Sequence, residues 1–302
     1  MASGAHAVKT AFFVNLTISF LKLGAAIFTR SAGMAAEAVH SFADTGNQVL
    51  LLLGLKRSGK EANEAHPFGY GKEEYFWSFI VAMLLFVLGS VYSAYEGIHK
   101  LLHPEELQHV YINFIILGVS VCLEGYSWLV ATRSMGGGSA GELYRGAVES
   151  KDANTVVVFV EDTGALLGLA VALAGNALSY ITGNPVFDAA SSVAVGMLLF
   201  VIAIFLANEM RKLLIGERTD NSSINAARRI LASHPHVKAV GEIKTMQIGN
   251  NVCIIAAAVD FADTLGDKQL EKTMTALKKE IAAAIPQARH VYLQLTGKDL
   301  VM

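Results

Sequence analysis

Six stretches of the chain, residues 8–29, 33–55, 74–101, 110–133, 154–181 and 187–210, are long and apolar enough to cross a bilayer, which takes about 20 residues. Past Asn208 the pattern changes: charged residues return at short intervals and the apolar runs shorten to the length of strands and amphipathic helices. The chain therefore divides into a six-helix membrane domain over residues 1–208 and a soluble domain over residues 209–302. The first apolar run carries one early lysine, Lys9, and lacks a small-residue cleavage site. It is expected to be a membrane helix rather than a signal peptide, with no soluble domain ahead of it.

The soluble part has a legible order. "SSINAARRILASH" predicts a helix capped at Asn221 or Ser222, with Ile224, Ala227, Ile230 and Leu231 at helical spacing. Two strands follow, around Val237 to Ile248 and Val252 to Phe261, joined by "GNN", a hairpin signal. A second helix, Asp267 to Ile285, shows Leu270, Met274, Leu277 and Ile281 on one face and stops before Pro286. The last strand, "HVYLQL", alternates apolar Val291, Leu293 and Leu295. An α-β-β-α-β order predicts a small ferredoxin-like α+β domain, a fold that by itself fixes no function.

Composition agrees with a polytopic membrane protein: 53% of the 302 residues are hydrophobic and mean hydropathy is +0.44. The formal charge of −2 is nearly balanced, so no nucleic-acid partner is expected. The two cysteines, Cys122 and Cys253, lie in different segments, which leaves neither a disulfide framework nor a cysteine-based zinc finger. Lys and Arg fall mostly on one side of a six-helix topology: Lys9, then Lys56, Arg57, Lys60 and Lys72, then Arg133, Arg145 and Lys151, then Arg211 and Lys212, against little beyond Arg30 and Lys100. Both termini are therefore expected on the cytoplasmic side.

Against this background the stretch "EAVHSFAD", Glu37 to Asp44, stands out. Glu37, His40, Asp44 and Gln48 recur at spacings of three, four and four residues, one stripe of a helix. An ionised Asp at the centre of a membrane helix costs on the order of 2.5–3.5 kcal/mol even on the milder insertion scale, so such groups need partners. Imidazole and carboxylate suit Zn²⁺, and less selectively Mn²⁺, Fe²⁺ or Co²⁺. The fifth apolar stretch supplies "FVEDTGALLG", in which Glu161 and Asp162 are neighbours about 100° apart around the axis and cannot both face one point squarely. Gly164 and Gly168 follow in a small-xxx-small spacing that lets a neighbouring helix approach closely. A lone His–Asp pair would read as a buried hydrogen bond that fixes packing; a second acidic pair on another helix turns the reading towards a metal site of His40, Asp44 and Asp162, with Glu161 or Glu37 nearby. Glu37 sits towards a helix end, where it could simply reach water; Asn15 and Lys22 of the first helix could line a polar path, although packing or snorkelling is the role expected of each.

At these residues the chain resembles the cation diffusion facilitator family. The resemblance rests on His40-xxx-Asp44, "SAGMAAEAVHSFADTGNQ", the loop "HPFGYGKEE", Asp188 in "DAASSVAVG" and the amphipathic terminal domain. It implies six membrane helices with cytoplasmic termini, a ferredoxin-like carboxy-terminal domain, homodimerisation, and a transport site shared by the second and fifth helices. The family's fifth-helix motif would place His or Asp four residues before Asp162, where this chain has Val158, and Glu161 appears instead. The "EDT" pattern is similar to a branch that includes organellar zinc transporter relatives. The fourth ligand is thus open between Glu161, Glu37, a water and none. His66 is followed four residues later by Tyr70 rather than a second His, so a loop metal site is not expected, and the soluble domain holds only His234, His236 and His290.

The resemblance further implies Zn²⁺ efflux in exchange for protons by alternating access, in a bacterial inner membrane, with Zn²⁺ as transported substrate and Mn²⁺, Fe²⁺, Co²⁺ and Cd²⁺ as alternatives. Imidazole titrates near neutral pH, and a desolvated carboxylate is raised towards that range, so both can trade a proton for a metal ion. The rivals are a Mn²⁺ or Fe²⁺ exporter and a membrane-tethered metal sensor without flux. An enzyme is not expected: "GGG" at Gly136 to Gly138 lacks the Lys-Ser/Thr of a nucleotide-binding loop, and no nucleophile–base pair is visible.

Overall fold

A computed structural model describes the backbone of residues 2–29, 32–103 and 110–297, and the side chains of these except at 2, 3, 29, 32–37, 40, 110 and 113. The protein is mostly helical, with a small mixed sheet confined to its carboxy-terminal part. The membrane helices are α1 (Ala2–Thr29), α2 (Ala32–Ser58), α3 (Glu73–Leu84) running through a π-helical turn (Leu85–Val91) into α4 (Tyr92–Leu102), α5 (Val110–Ser134), α7 (Ala153–Thr182) and α8 (Val186–Ile215). Five of these spans are long and apolar enough to cross a membrane by composition alone, with α3 to α4 counting as one. The remaining helix, α2, spans 27 residues and holds the polar stripe that lowers its hydropathy.

Two features of this bundle were not expected from the sequence. The third apolar stretch is not one uniform α-helix: the π-helical turn rotates α4 relative to α3, so that Tyr92, Ser93 and Glu96 share a cavity wall with Leu85. A further helix, α6 (Ala140–Glu149), fills the connection between α5 and α7. Its start is a capping box in which the backbone N–H and hydroxyl of Ser139 donate to Glu142 at 2.7 and 2.9 Å. The preceding Gly136, Gly137 and Gly138 all take positive φ, which breaks the helix between α5 and α6.

Two compact units make up the chain, residues 1–59 with 73–211 and residues 60–72 with 212–302. The loop between α2 and α3 therefore belongs to the second unit. There Lys72 Nζ donates to the carbonyl of Leu214 at 3.2 Å, Phe68 meets His290 edge to face at 5.2 Å, and Gly71 lies so close to Ile248 that a Cβ would stand 2.3 Å from its carbonyl oxygen. His66 stacks on Tyr70 at 4.2 Å, and the Asn63 amide donates to the Tyr70 hydroxyl at 2.9 Å.

The rest of the second unit follows the expected α-β-β-α-β order: α9 (Asn221–Ser233), β1 (Val237–Gly249), β2 (Val252–Phe261), α10 (Asp267–Ala284) and β3 (Ala288–Leu295). The strands lie side by side as β1-β2-β3. β1 pairs antiparallel with β2 around the Asn250–Asn251 turn, and β3 returns parallel to β2 after the α10 crossover. Alternate β2 residues Cys253, Ile255, Ala257 and Val259 pack against Ala227 and Leu231 of α9 and Leu277 and Ile281 of α10. Leu293 of β3 joins this core, whereas Leu295, expected on the same face, is exposed at the strand's end. The cap of α9 is Asp220 rather than Asn221 or Ser222: its carboxylate accepts from the Ser223 N–H at 2.8 Å, and one oxygen also accepts from Gln287 Nε2 at the same distance.

Candidate functional site

The first unit contains a partly open cavity of about 210 Å³, largely apolar but carrying several charged side chains, walled by α1, α2, the π-helical turn, α4, α5, α7 and α8. Asp44 of α2 and Glu161 and Asp162 of α7 line it. Asp162 is buried to 1% exposure, and its Oδ2 has no hydrogen-bond partner among the described residues. A buried carboxylate oxygen without a donor is costly unless a cation or proton completes it. The side chains of Glu37 and His40 lie outside the described residues. The backbone of His40 is on α2, one turn before Asp44.

Glu161 has a different environment. Its Oε1 accepts from Asn47 Nδ2 at 3.1 Å and its Oε2 from Gln48 Nε2 at 2.8 Å, both from α2. Each carboxylate oxygen thus already holds a buried amide donor, and the pair tethers α7 to α2 at the level of the acidic site. Backbone packing runs elsewhere: α2 lies against α1 and α3, and α7 against α5 and α1. Gly164 and Gly168 face α8, where a Cβ would come within 2.5 Å of Ile202 Cδ1 and 3.5 Å of Val195 Cγ1 respectively. The small-residue spacing on α7 therefore serves the α7–α8 contact, while long polar side chains span the gap to α2.

The cavity also contains a carboxylate that sequence reasoning missed. Glu124 of α5, buried to 9% exposure, lines the same wall as Asp44 and Asp162. Trp128, one turn further along α5, donates its indole N–H to Thr163 Oγ1 at 2.9 Å and so holds the Glu124 face against the Asp162 face. The available signal was a lone acid in "VCLEGYSWLV", an interruption as unusual in an apolar run as those in α2 and α7. Asn15 and Lys22 of α1 line the cavity too and are buried, which favours the polar-path alternative over the packing and snorkelling expected of them. Further along the cavity, Lys100 of α4 lies 3.2 Å from Glu96 and 3.5 Å from Asp188, the acid at the head of α8. Among the described residues, no three His, Cys, Asp or Glu side chains are close enough together to hold a metal ion. The described acids of the cavity are spread over α2, α4, α5, α7 and α8, with only Glu161 and Asp162 on one helix, and do not converge in this conformation.

A buried array of acids on several membrane helices around one small cavity is the arrangement of a protein that handles cations within the bilayer. Residues 8–215 match the family model described as the cation efflux transmembrane domain, and the chain belongs to this cation diffusion facilitator family. It is 35% identical over 257 residues to the mouse (Mus musculus) "Proton-coupled zinc antiporter SLC30A9, mitochondrial", covering 84% of this chain and 45% of the relative. It is 35% identical over 263 residues to "Metal tolerance protein C4" of Arabidopsis thaliana, covering 85% of this chain and 57% of that protein. "Probable cation efflux system protein Rv2025c" of Mycobacterium tuberculosis (strain ATCC 25618 / H37Rv) is 25% identical over 290 residues, 95% of this chain and 81% of the relative. The chain spans about half the length of the first two of these relatives.

Proposed function

We propose that the protein carries a divalent metal cation through the membrane by alternating access, with Zn²⁺ as the cargo and protons moving in exchange. The observation that carries this reading is the placement of Asp44 and Asp162, from two different membrane helices, on one cavity in which an Asp162 oxygen lacks a hydrogen-bond donor among the described residues. In this reading His40, Asp44 and Asp162 hold the metal, and His40 with one carboxylate takes up the counter-transported proton after the metal leaves. Imidazole and carboxylate are both ligands that must lose a proton to bind a metal, which couples the two fluxes chemically. Family membership supports metal cargo, and the mouse relative is named a proton-coupled zinc antiporter.

An exporter of Mn²⁺ or Fe²⁺ is the second reading. The oxygen-rich lining of Asp44, Glu124, Glu161 and Asp162 favours it, since harder cations prefer carboxylates, whereas the imidazole of His40 favours Zn²⁺. Competition among the metals in a flux assay decides between the two. The distribution of Lys and Arg supports a cytoplasmic location for both termini, and we place the protein as a homodimer in a bacterial inner membrane. The antiport reading is tested by Zn²⁺ uptake into proteoliposomes under an imposed pH gradient. The wild-type protein is expected to drive uptake and His40→Ala to lose it; full gradient-driven uptake by His40→Ala contradicts the assigned role.

A further inference from the structure

Val158 occupies the position, one turn before Asp162, from which a fourth ligand would project. Three observations bear on what replaces it. Glu161, the nearest acid in sequence, has each oxygen committed to a buried amide of α2, Asn47 at 3.1 Å and Gln48 at 2.8 Å. Turning it towards a metal would strip both amides of their acceptor in a buried setting, which is costly for each orphaned group. Glu124 is differently placed: it is buried in the wall shared with Asp44, Asp162 and Lys22, without the pair of amide donors that holds Glu161. Lastly, Asp162 Oδ2 is buried on the same cavity without a donor among the described residues, and so leaves an acceptor for a cation beyond Lys22 and Lys100, which also line it.

We propose that Glu124 of α5 is the fourth metal ligand, and that Glu161 is a positioning residue that clamps α7 to α2 without touching the metal. This rests on the reading of the cavity as the transport site and extends it to a third helix: the cation is held by α2, α5 and α7 together. The three side chains stand apart around the cavity, and a divalent ion supplies the attraction that draws them in. A Glu has one more rotatable bond than an Asp, which gives Glu124 the reach to close on an ion shared with Asp44 and Asp162. The Trp128–Thr163 hydrogen bond, one turn from Glu124, already joins α5 to α7 beside the site.

The test is equilibrium Zn²⁺ titration of the purified full-length chain in detergent, with Co²⁺ absorption as a second readout of the ligand field, for wild type, Asp162→Asn, Glu124→Gln, Glu124→Asp and Glu161→Gln. Glu124→Gln is expected to weaken Zn²⁺ binding by about tenfold or more, and Glu124→Asp, which keeps the charge but retracts the oxygens, by about three- to tenfold. Both should alter the Co²⁺ spectrum. Glu161→Gln should keep the wild-type Co²⁺ spectrum and lower thermal stability, because Gln presents only one acceptor to the two amides. If Asp162→Asn abolishes binding while either Glu124 variant binds as wild type, the assignment of Glu124 is overturned and the cavity reading stands. If Glu161→Gln changes the Co²⁺ spectrum as Glu124→Gln does, Glu161 is a ligand and the clamp is overturned. Should Asp162→Asn bind like wild type, the cavity reading itself fails. Where Glu124→Gln does not fold, Glu124→Asp alone decides the assignment.

Discussion

At the scale of single residues, the acids differ less in type than in what already satisfies them. Glu161 and Asp162 are adjacent, yet one is held by two amides and the other keeps an oxygen with no donor among the described residues. Removing one amide should expose the difference. Asn47→Ala leaves Glu161 with one donor in a buried site and is expected to lower stability by about 1–3 kcal/mol, read as thermal unfolding in detergent, while Zn²⁺ affinity stays near that of wild type. Asp220, in the soluble part, illustrates the same principle with a titratable readout. Partial burial pushes its carboxyl up, but hydrogen bonds from Ser222 Oγ, the Ser223 N–H, Ser223 Oγ and Gln287 hold it well below its ordinary value of 3.8. A group with a lowered folded pKa stabilises the fold above its unfolded value and loses that contribution as acid protonates it. Asp220→Ala is therefore expected to cost about 0.5–2 kcal/mol at neutral pH. The gap between mutant and wild-type denaturant midpoints should close as the pH falls below 3.8. A gap that stays constant into that range contradicts the capping role.

At the scale of elements, hydrophobic patterning was sufficient to locate the membrane helices and the α-β-β-α-β order, because apolar runs about 20 residues long and alternating strands are strong periodic signals. What it did not convey depends on local chemistry. The π-helical turn between α3 and α4 leaves no mark on hydropathy, since Leu85–Val91 is as apolar as its flanks. The start of α6 was legible in principle from the Ser139-xx-Glu142 spacing, and it was obscured by the three glycines before it. Glu124 escaped notice because no second acid accompanies it at helical spacing on its own helix; the cavity it lines is completed by α2 and α7 in space. The contact between α4 and α8 was equally invisible. A Cβ on Gly97 would stand 2.6 Å from the backbone nitrogen of Val193, and one on Gly196 would stand 2.7 Å from that of Ala94. Backbone cannot yield as a side chain can, so Gly97→Val should force the two helices apart and cost about 1–3 kcal/mol or more, seen as a lowered unfolding temperature in detergent. Full stability in that variant would contradict the close approach.

At the scale of the whole molecule, the protein combines a membrane unit that encloses acids with a second unit that includes both the soluble fold and the loop following α2. The soluble core is built as a self-supporting layer, with Leu277 and Ile281 of α10 fully buried on alternate β2 residues. Leu277→Ala should cost about 2–5 kcal/mol in the unfolding of that unit, followed by the loss of its strand signal in chemical denaturation. The cavity acids are the part of the molecule that stability alone does not explain, and their purpose in this account is to carry a metal ion. The most direct measurement is simultaneous recording of Zn²⁺ influx and internal pH in proteoliposomes holding wild type or Asp162→Asn. Wild type is predicted to show Zn²⁺ entering as protons leave, with both fluxes lost in Asp162→Asn; Zn²⁺ flux that persists unchanged in Asp162→Asn would contradict it.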